Sequence, residues 1–156
     1  MTYVLRRITA AAAGLCLSAS LYAGIAAEDV QAAGAYARAV PPGQSNSAAF
    51  MSLTNKSDAD HALVGAESSA SKVAELHTHF LEGGMMKMRP VEKIDLPAGK
   101  TVELQPGGLH LMLIGLTHQL SPGEDLRITL VFEDGSRTSL VVPVKTVQAT
   151  MEQRSR

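Results

Sequence analysis

His77 and His79, Met86 and Met88, and His110 and Met112 offer borderline imidazole nitrogens and soft thioether sulfurs, all neutral, with no carboxylate among them. Such a mixed set without carboxylates suits Cu(I) better than Zn(II), Mg or Ca. His110 and Met112 stand two residues apart in "GGLHLML", where Leu109, Leu111 and Leu113 occupy the alternate positions. A period of two is that of a half-buried strand, so the pattern that sends the leucines to a core sends His110 and Met112 together to the other face. His77 and His79 share a face in "AELHTHF" by the same parity, as do Met86 and Met88 in "MMKMRP". The pairs lie on different candidate strands with turns between them, an arrangement that lets them converge at one end of a sandwich.

The elements that must position these residues are short strands. Turn signals recur as "PPG" at 41–43, "EGG" at 82–84, "PAG" at 97–99, "PGG" at 106–108, "SPG" at 121–123 and "EDGS" at 133–136, the punctuation of an all-β chain. Alternation is plain in Leu126, Ile128, Leu130 and Phe132, followed by a tight turn at Asp134-Gly135 and a returning strand with Leu140, Val142 and Val144. Further strands are expected at 35–40, 48–54, 61–66, 73–80, 85–89, 91–96 and 101–105, and "ESSASK" at 67–72 reads as a turn or a helical turn. With no convincing amphipathic helix, these predict a sandwich of two antiparallel sheets.

Composition narrows the functional classes. The N-terminus carries Arg6 and Arg7, a largely apolar run from Ile8 to Leu21 and then small residues, which reads as a secretory signal peptide spanning 1–26, cleaved after Ala26, with Ala23 and Ala27 as alternative sites. No stretch reaches the roughly 20 apolar residues of a spanning helix. The expected organisation is therefore an exported, periplasmic chain with one domain at 33–146 and a polar tail at 147–156. The only cysteine, Cys16, falls inside the signal and follows Leu15, a poor match to the small residue that precedes a lipidated cysteine. The mature chain then has no disulfide, no thiolate and no blue-copper centre, and carriage of copper fits it better than redox catalysis. No basic run, phosphate loop or aromatic surface points to nucleic acid, and the 14 basic and 15 acidic residues nearly balance.

The spacing carries the sharpest signal. His77, ten residues, Met88, twenty-one residues, then His110-x-Met112 reproduces without a gap the signature of the PCu(A)C family of periplasmic copper chaperones, which the chain resembles. The resemblance runs from about Ala35 to Val144 through "PPG", "LVGAES", "VAELH", "MKMRPV", "LPAGKTVELQPGGLHLML" and "GLTHQL". It implies a cupredoxin-like β-sandwich, a monomer and not an enzyme, that binds Cu(I) through His77, Met88, His110 and Met112. It also implies delivery to the copper subunit of cytochrome c oxidase, alongside a Sco-type thiol chaperone. Some members of that family end in a His- and Met-rich tail that holds a second copper, whereas "KTVQATMEQRSR" offers only Met151.

Other readings compete residue by residue. A copper-buffering protein would need the same four ligands, and a metal-free structural sandwich would use them only for packing. A small copper enzyme is disfavoured by the lack of an acid, base or nucleophile set beside the ligands. His79, Met85 and Met86 are extra soft groups that could ligate transiently during handover, although at least one of Met85 and Met86 is expected in the core. Met51 alternates with Ala49 and Leu53 and is expected to be core; His61 and His118, among polar neighbours, are expected in solvent.

Overall fold

The computed structural model describes residues 25–146. Most of the signal segment with Cys16, and the tail with Met151, lie outside the described residues. One helical turn, α1 (Ala26–Asp29), leads into ten strands: β1 (Val30–Arg38), β2 (Asn46–Asn55), β3 (His61–Ser68), β4 (Ser71–Glu82), β5 (Met85–Pro90), β6 (Ile94–Leu96), β7 (Thr101–Leu104), β8 (Leu109–Leu116), β9 (Asp125–Phe132) and β10 (Arg137–Lys145). The fold is the expected all-β cupredoxin-like sandwich, and among the described residues no helix is long and apolar enough to cross a membrane.

The two layers are not separate sheets. Hydrogen bonding runs continuously in the order β5-β4-β8-β7-β2-β1-β10-β9-β3-β6, and a short β3–β4 pairing, Ala66 against Ala74, draws the sheet round on itself. Two pairings depart from the antiparallel expectation, since β1 meets β10 and β7 meets β8 in parallel over one or two residues. The undecided stretch at 67–72 is the end of β3, a two-residue turn at 69–70 and the start of β4. The folded unit also begins upstream of residue 33, because β1 starts at Val30 and Ala27 donates its N–H to Ser136 Oγ at 2.9 Å. The first half of β1, "VQAAGA", escapes a propensity reading because alanine and glycine are poor strand formers.

Alternation builds the core as expected. Leu111 of β8 pairs with Leu76 of β4 and Ala49 of β2 on the inner face, and Leu53, Leu63, Leu113, Ile128, Leu130 and Phe132 fill it. Each such side chain contributes about 1.5–3 kcal/mol by leaving water. Met51 is buried there too.

Two local devices set what the opposite face presents. Between β4 and β5, Gly83 (φ 60°) and Gly84 (φ 79°) both take positive φ, as a two-residue type I′ hairpin demands, and the turn fixes His79 opposite Met88. In β1, Gly34 (φ 62°) marks a bulge where one extra residue enters the pairing with β2, so Ala32 faces Leu53 before it and Ala37 faces Ala49 after it. A one-residue shift exchanges the two faces of a strand. The bulge therefore turns Tyr36 and Arg38 away from the core, onto the face that bears Phe50, His110 and Met112.

His61 corrects the expectation of a solvated residue: it is only 7% exposed. Its Nε2 lies 3.0 Å from Asp29 Oδ2 and its Nδ1 2.7 Å from Glu133 Oε1, while Glu133 Oε2 accepts the Ala62 N–H at 2.7 Å. Burial pushes the His61 pKa down, but the bonds to Glu133 and Asp29 outweigh it and raise it above the ordinary 6.5. Burial pushes the Glu133 carboxyl up, yet its bonds to Ala62 N–H and His61 hold it below 4.5. The His61 contribution is thus complete below 6.5 and is lost as pH rises through the higher folded value; that of Glu133 is present above 4.5 and is lost as pH falls through the lower one. The joint contribution of His61 and Glu133 is thus a plateau between 4.5 and 6.5 that falls on both sides, and urea midpoints should drop as pH rises above 6.5. In His61→Gln the alkaline fall should disappear, with a loss of about 1–3 kcal/mol on the plateau.

Candidate metal centre

β4 lies between β5 and β8, so its odd-numbered residues meet donors on both sides. Register pairs His77 with His110, His79 with Met88 and Glu75 with Met112. The centres of the imidazole rings of His77 and His79 lie 5.8 and 4.8 Å from that of His110. Met88, reaching over from the edge strand, brings Sδ to 3.1 Å from His110 Nε2.

The tautomers follow from what else the rings touch. His110 Nδ1 lies 3.0 Å from the Gly108 carbonyl, which can only accept, so Nδ1 carries the proton and Nε2 turns a lone pair toward the Met88 sulfur. His79 Nδ1 lies 3.3 Å from the same carbonyl. His77 Nε2 lies 2.9 Å from Glu75 Oε2 and donates to it, which leaves the lone pair on His77 Nδ1. That Nδ1 is buried and has no hydrogen-bond partner, so a base stands desolvated with nothing to bind. Outer partners that fix a ring and raise its basicity are the usual company of a metal-ligating histidine.

His110 is 1% exposed, enclosed by His77, His79, Met88 and the Phe50 ring at 6.2 Å. Burial is the main cause that pushes its pKa below 6.5; the Gly108 carbonyl opposes it, and His79, His77 and Arg38 lower it further. The ring is therefore neutral and able to ligate at neutral pH. Among the described residues no three His, Cys, Asp or Glu side chains group to hold an ion.

Of the four predicted ligands, Met88, His110 and Met112 line one open cleft of about 470 Å³, together with His79. His77 is outside that lining and packs against His110 from its neighbouring strand. Met85 and Met86 are 63% and 57% exposed, which corrects the expectation that one of them packs in the core: β5 is an edge strand with every residue exposed. His118 is exposed as expected and is held by Glu124. Sequence reasoning missed Glu75, although its parity with His77 was visible. It also missed Phe50 and Arg38, which join the site face only because of pairing and the Gly34 bulge.

Residues 30–144 match the family described as "Putative lipoprotein LpqE-like". A curated relative from Leifsonia xyli subsp. xyli, "Putative lipoprotein Lxx21020", is 37% identical over 123 residues, covering 78% of this chain and 73% of that protein. The copper-bound PCuAC domain from PmoF2 superposes with a TM-score of 0.66 over 78% of this chain and 97% of that one, at 22% identity, a likeness of fold. DR1885 from Deinococcus radiodurans is similar in sequence as well. Its apo solution structure is 38% identical with a TM-score of 0.60, covering 94% of this chain and 97% of that one. Its Cu(I) structure is 40% identical with a TM-score of 0.55, covering 72% and 75%.

Burial of His110 has a direct readout. In an NMR titration of the histidine ring resonances of the metal-free protein, His110 should change protonation below 6.5, and a midpoint above that value would contradict the enclosed neutral ring.

Proposed function

This chain belongs to the LpqE-like family, of PCu(A)C type, and from that premise we propose that it is an exported Cu(I) carrier whose ligands are His77, Met88, His110 and Met112. The observation that carries the reading is the pair His110 Nε2 and Met88 Sδ, 3.1 Å apart with lone pairs facing, beside Met112 on the same cleft. The orphaned His77 Nδ1 supports it from the adjacent strand. Two imidazoles and two thioethers stabilise the soft, monovalent ion and offer no thiolate for redox work. The Cu(I) form of DR1885 and the copper-bound PmoF2 domain share the fold that presents them.

In this reading the protein acts without catalysis. Copper is taken up from the open side of the cleft, and stepwise exchange passes it to an acceptor. The acceptor we propose is the dinuclear copper subunit of cytochrome c oxidase in the periplasm, with a Sco-type thiol chaperone as partner and the carrier acting as a monomer. His79 on the cleft, and Met85 and Met86 on the exposed edge, are placed to ligate in passing. Its family and the Leifsonia relative carry lipoprotein descriptions, but here Leu15 precedes Cys16, and cleavage near Ala26 rather than lipidation fits that dipeptide better. We propose 1–26 as the signal peptide and 147–156 as a tail without a second copper site.

Anaerobic titration should give one Cu(I) per chain, and the Met88→Ala, Met112→Ala double variant should lose affinity at least about a hundredfold. Undiminished affinity in that variant would sink the ligand set. At free Cu(I) a thousand times Kd, the folded state should gain about 4 kcal/mol, seen as a raised Tm; no gain would favour the metal-free sandwich. Acid should weaken the complex, because protonated imidazole cannot ligate while thioethers still can. Deleting the gene should lower oxidase activity at limiting copper and spare it at ample copper. Unchanged activity at limiting copper would leave buffering as the role.

A further inference from the structure

The cleft is far larger than a bare ion needs, and its two walls differ. One wall carries the soft donors; the other carries Arg38 with the amides of Gln44 and Asn46, and no acidic residue lines either. In a chain with 15 acidic and 14 basic residues, a cleft with one cation and no carboxylate is an electrostatic feature of the site itself.

Arg38 is held in place without its charge being neutralised. Its guanidinium carbon lies 5.4 Å from the centre of the Phe50 ring, and that ring in turn stands 6.2 Å from His110. Cation–π contact fixes the plane of the guanidinium and leaves its N–H donors unspent. Among the described residues no carboxylate lies in ion-pair range of it. Its main chain is pinned as well, because Ser47 Oγ donates to the Arg38 carbonyl at 2.6 Å. Lys145 lies opposite Arg38 in the parallel β1–β10 pairing, with Nζ 5.6 Å from the Tyr36 ring centre, so a second cation stands beside the first.

The copper reading makes this arrangement consequential, and the inference rests on it. Two imidazoles and two thioethers are neutral, and the nearby carboxylate Glu75 is bonded to His77 outside the cleft lining, so the charge of Cu(I) is uncompensated on the cleft side, where Arg38 adds a second positive charge. What such a cleft favours is an anion. We propose that the Arg38 wall is an anion-binding subsite, which draws the anionic ligand group of a copper acceptor, such as a thiolate or carboxylate, onto the bound metal. The incoming anion forms a bond to Cu(I) as one protein thioether lets go; copper stays monovalent and no electron or proton needs to move. Arg38 thereby sets which acceptors exchange fast, while the four soft donors set how tightly the ion is held.

The test uses the full mature protein loaded anaerobically with Cu(I), and two chelators sharing one ring skeleton, anionic bathocuproine disulfonate and neutral neocuproine. In stopped-flow transfer, Arg38→Gln should slow passage to the disulfonate about tenfold while leaving passage to neocuproine within about twofold. Arg38→Lys should restore most of the rate, and raising ionic strength should erase the advantage of the unaltered protein for the anionic chelator. Cu(I) affinity should stay within about threefold throughout, since no ligand is changed. Equal rates to the disulfonate in Arg38→Gln and the unaltered protein, or equal slowing to both chelators, would overturn the subsite. Salt-independent transfer by the unaltered protein would overturn it too, even if the Gln variant failed to fold. Failure of the unaltered protein to load Cu(I) would instead overturn the carrier reading, and is seen before any transfer begins.

Discussion

A slip of one residue between β4 and either neighbour would send His77 and His79 into the leucine core and turn Leu76 out toward solvent. Everything at the site depends on that register being held. The inner face holds it, because Leu76, Leu111 and Ala49 meet across three strands and cannot be exposed without loss. The Gly83-Gly84 turn holds it on the other side, since a two-residue type I′ loop allows one pairing of β4 with β5. Donor positions are thus a by-product of hydrophobic alternation: the core fixes the register, and the register fixes the donors.

Placement alone would not make a soft-metal site, because an imidazole offers a lone pair on only one nitrogen when neutral. Here the choice of nitrogen is made by groups with no soft character. The Gly108 carbonyl accepts from Nδ1–H of His110 and faces Nδ1 of His79 as well, and Glu75 accepts from Nε2–H of His77. Burial then keeps His110 unprotonated, and the same burial leaves His77 Nδ1 without water. These arrangements are costly in the metal-free protein, where a desolvated acceptor has nothing to accept. In the proposed reading they become favourable once Cu(I) sits among the lone pairs, so the energetic case for the site lies in the protein environment as much as in the four proposed donors.

That His77, Met88, His110 and Met112 would share neighbouring strands was legible in the sequence, because the strand period is local information. The hairpins and the leucine core were legible for the same reason. His61 was misread because its neighbours in sequence are polar, whereas the carboxylates that bury it come from Asp29 and Glu133, 32 and 72 residues away. Met85 and Met86 were misread because alternation cannot tell an edge strand from a central one. The early half of β1 was missed because alanine and glycine give no strand signal, and its membership is decided by pairing with β2.

Arg38 shows the limit most clearly. Strict alternation from Ala32, which faces Leu53, would place Arg38 on the core face, where an unpaired guanidinium would be prohibitive. Gly34 resolves the conflict by inserting one residue at positive φ, and the phase of the strand reverses before Tyr36. A bulge of this kind weakens the ladder locally, so its position needs a compensating gain. The gain on the core side is that Ala37 and Ala49 are both fully buried side by side; on the other side it is a fixed cation over Phe50, next to His110. One glycine therefore joins the packing of the sandwich to the charge of the cleft, and a substitution there would disturb both through the backbone without touching a donor atom.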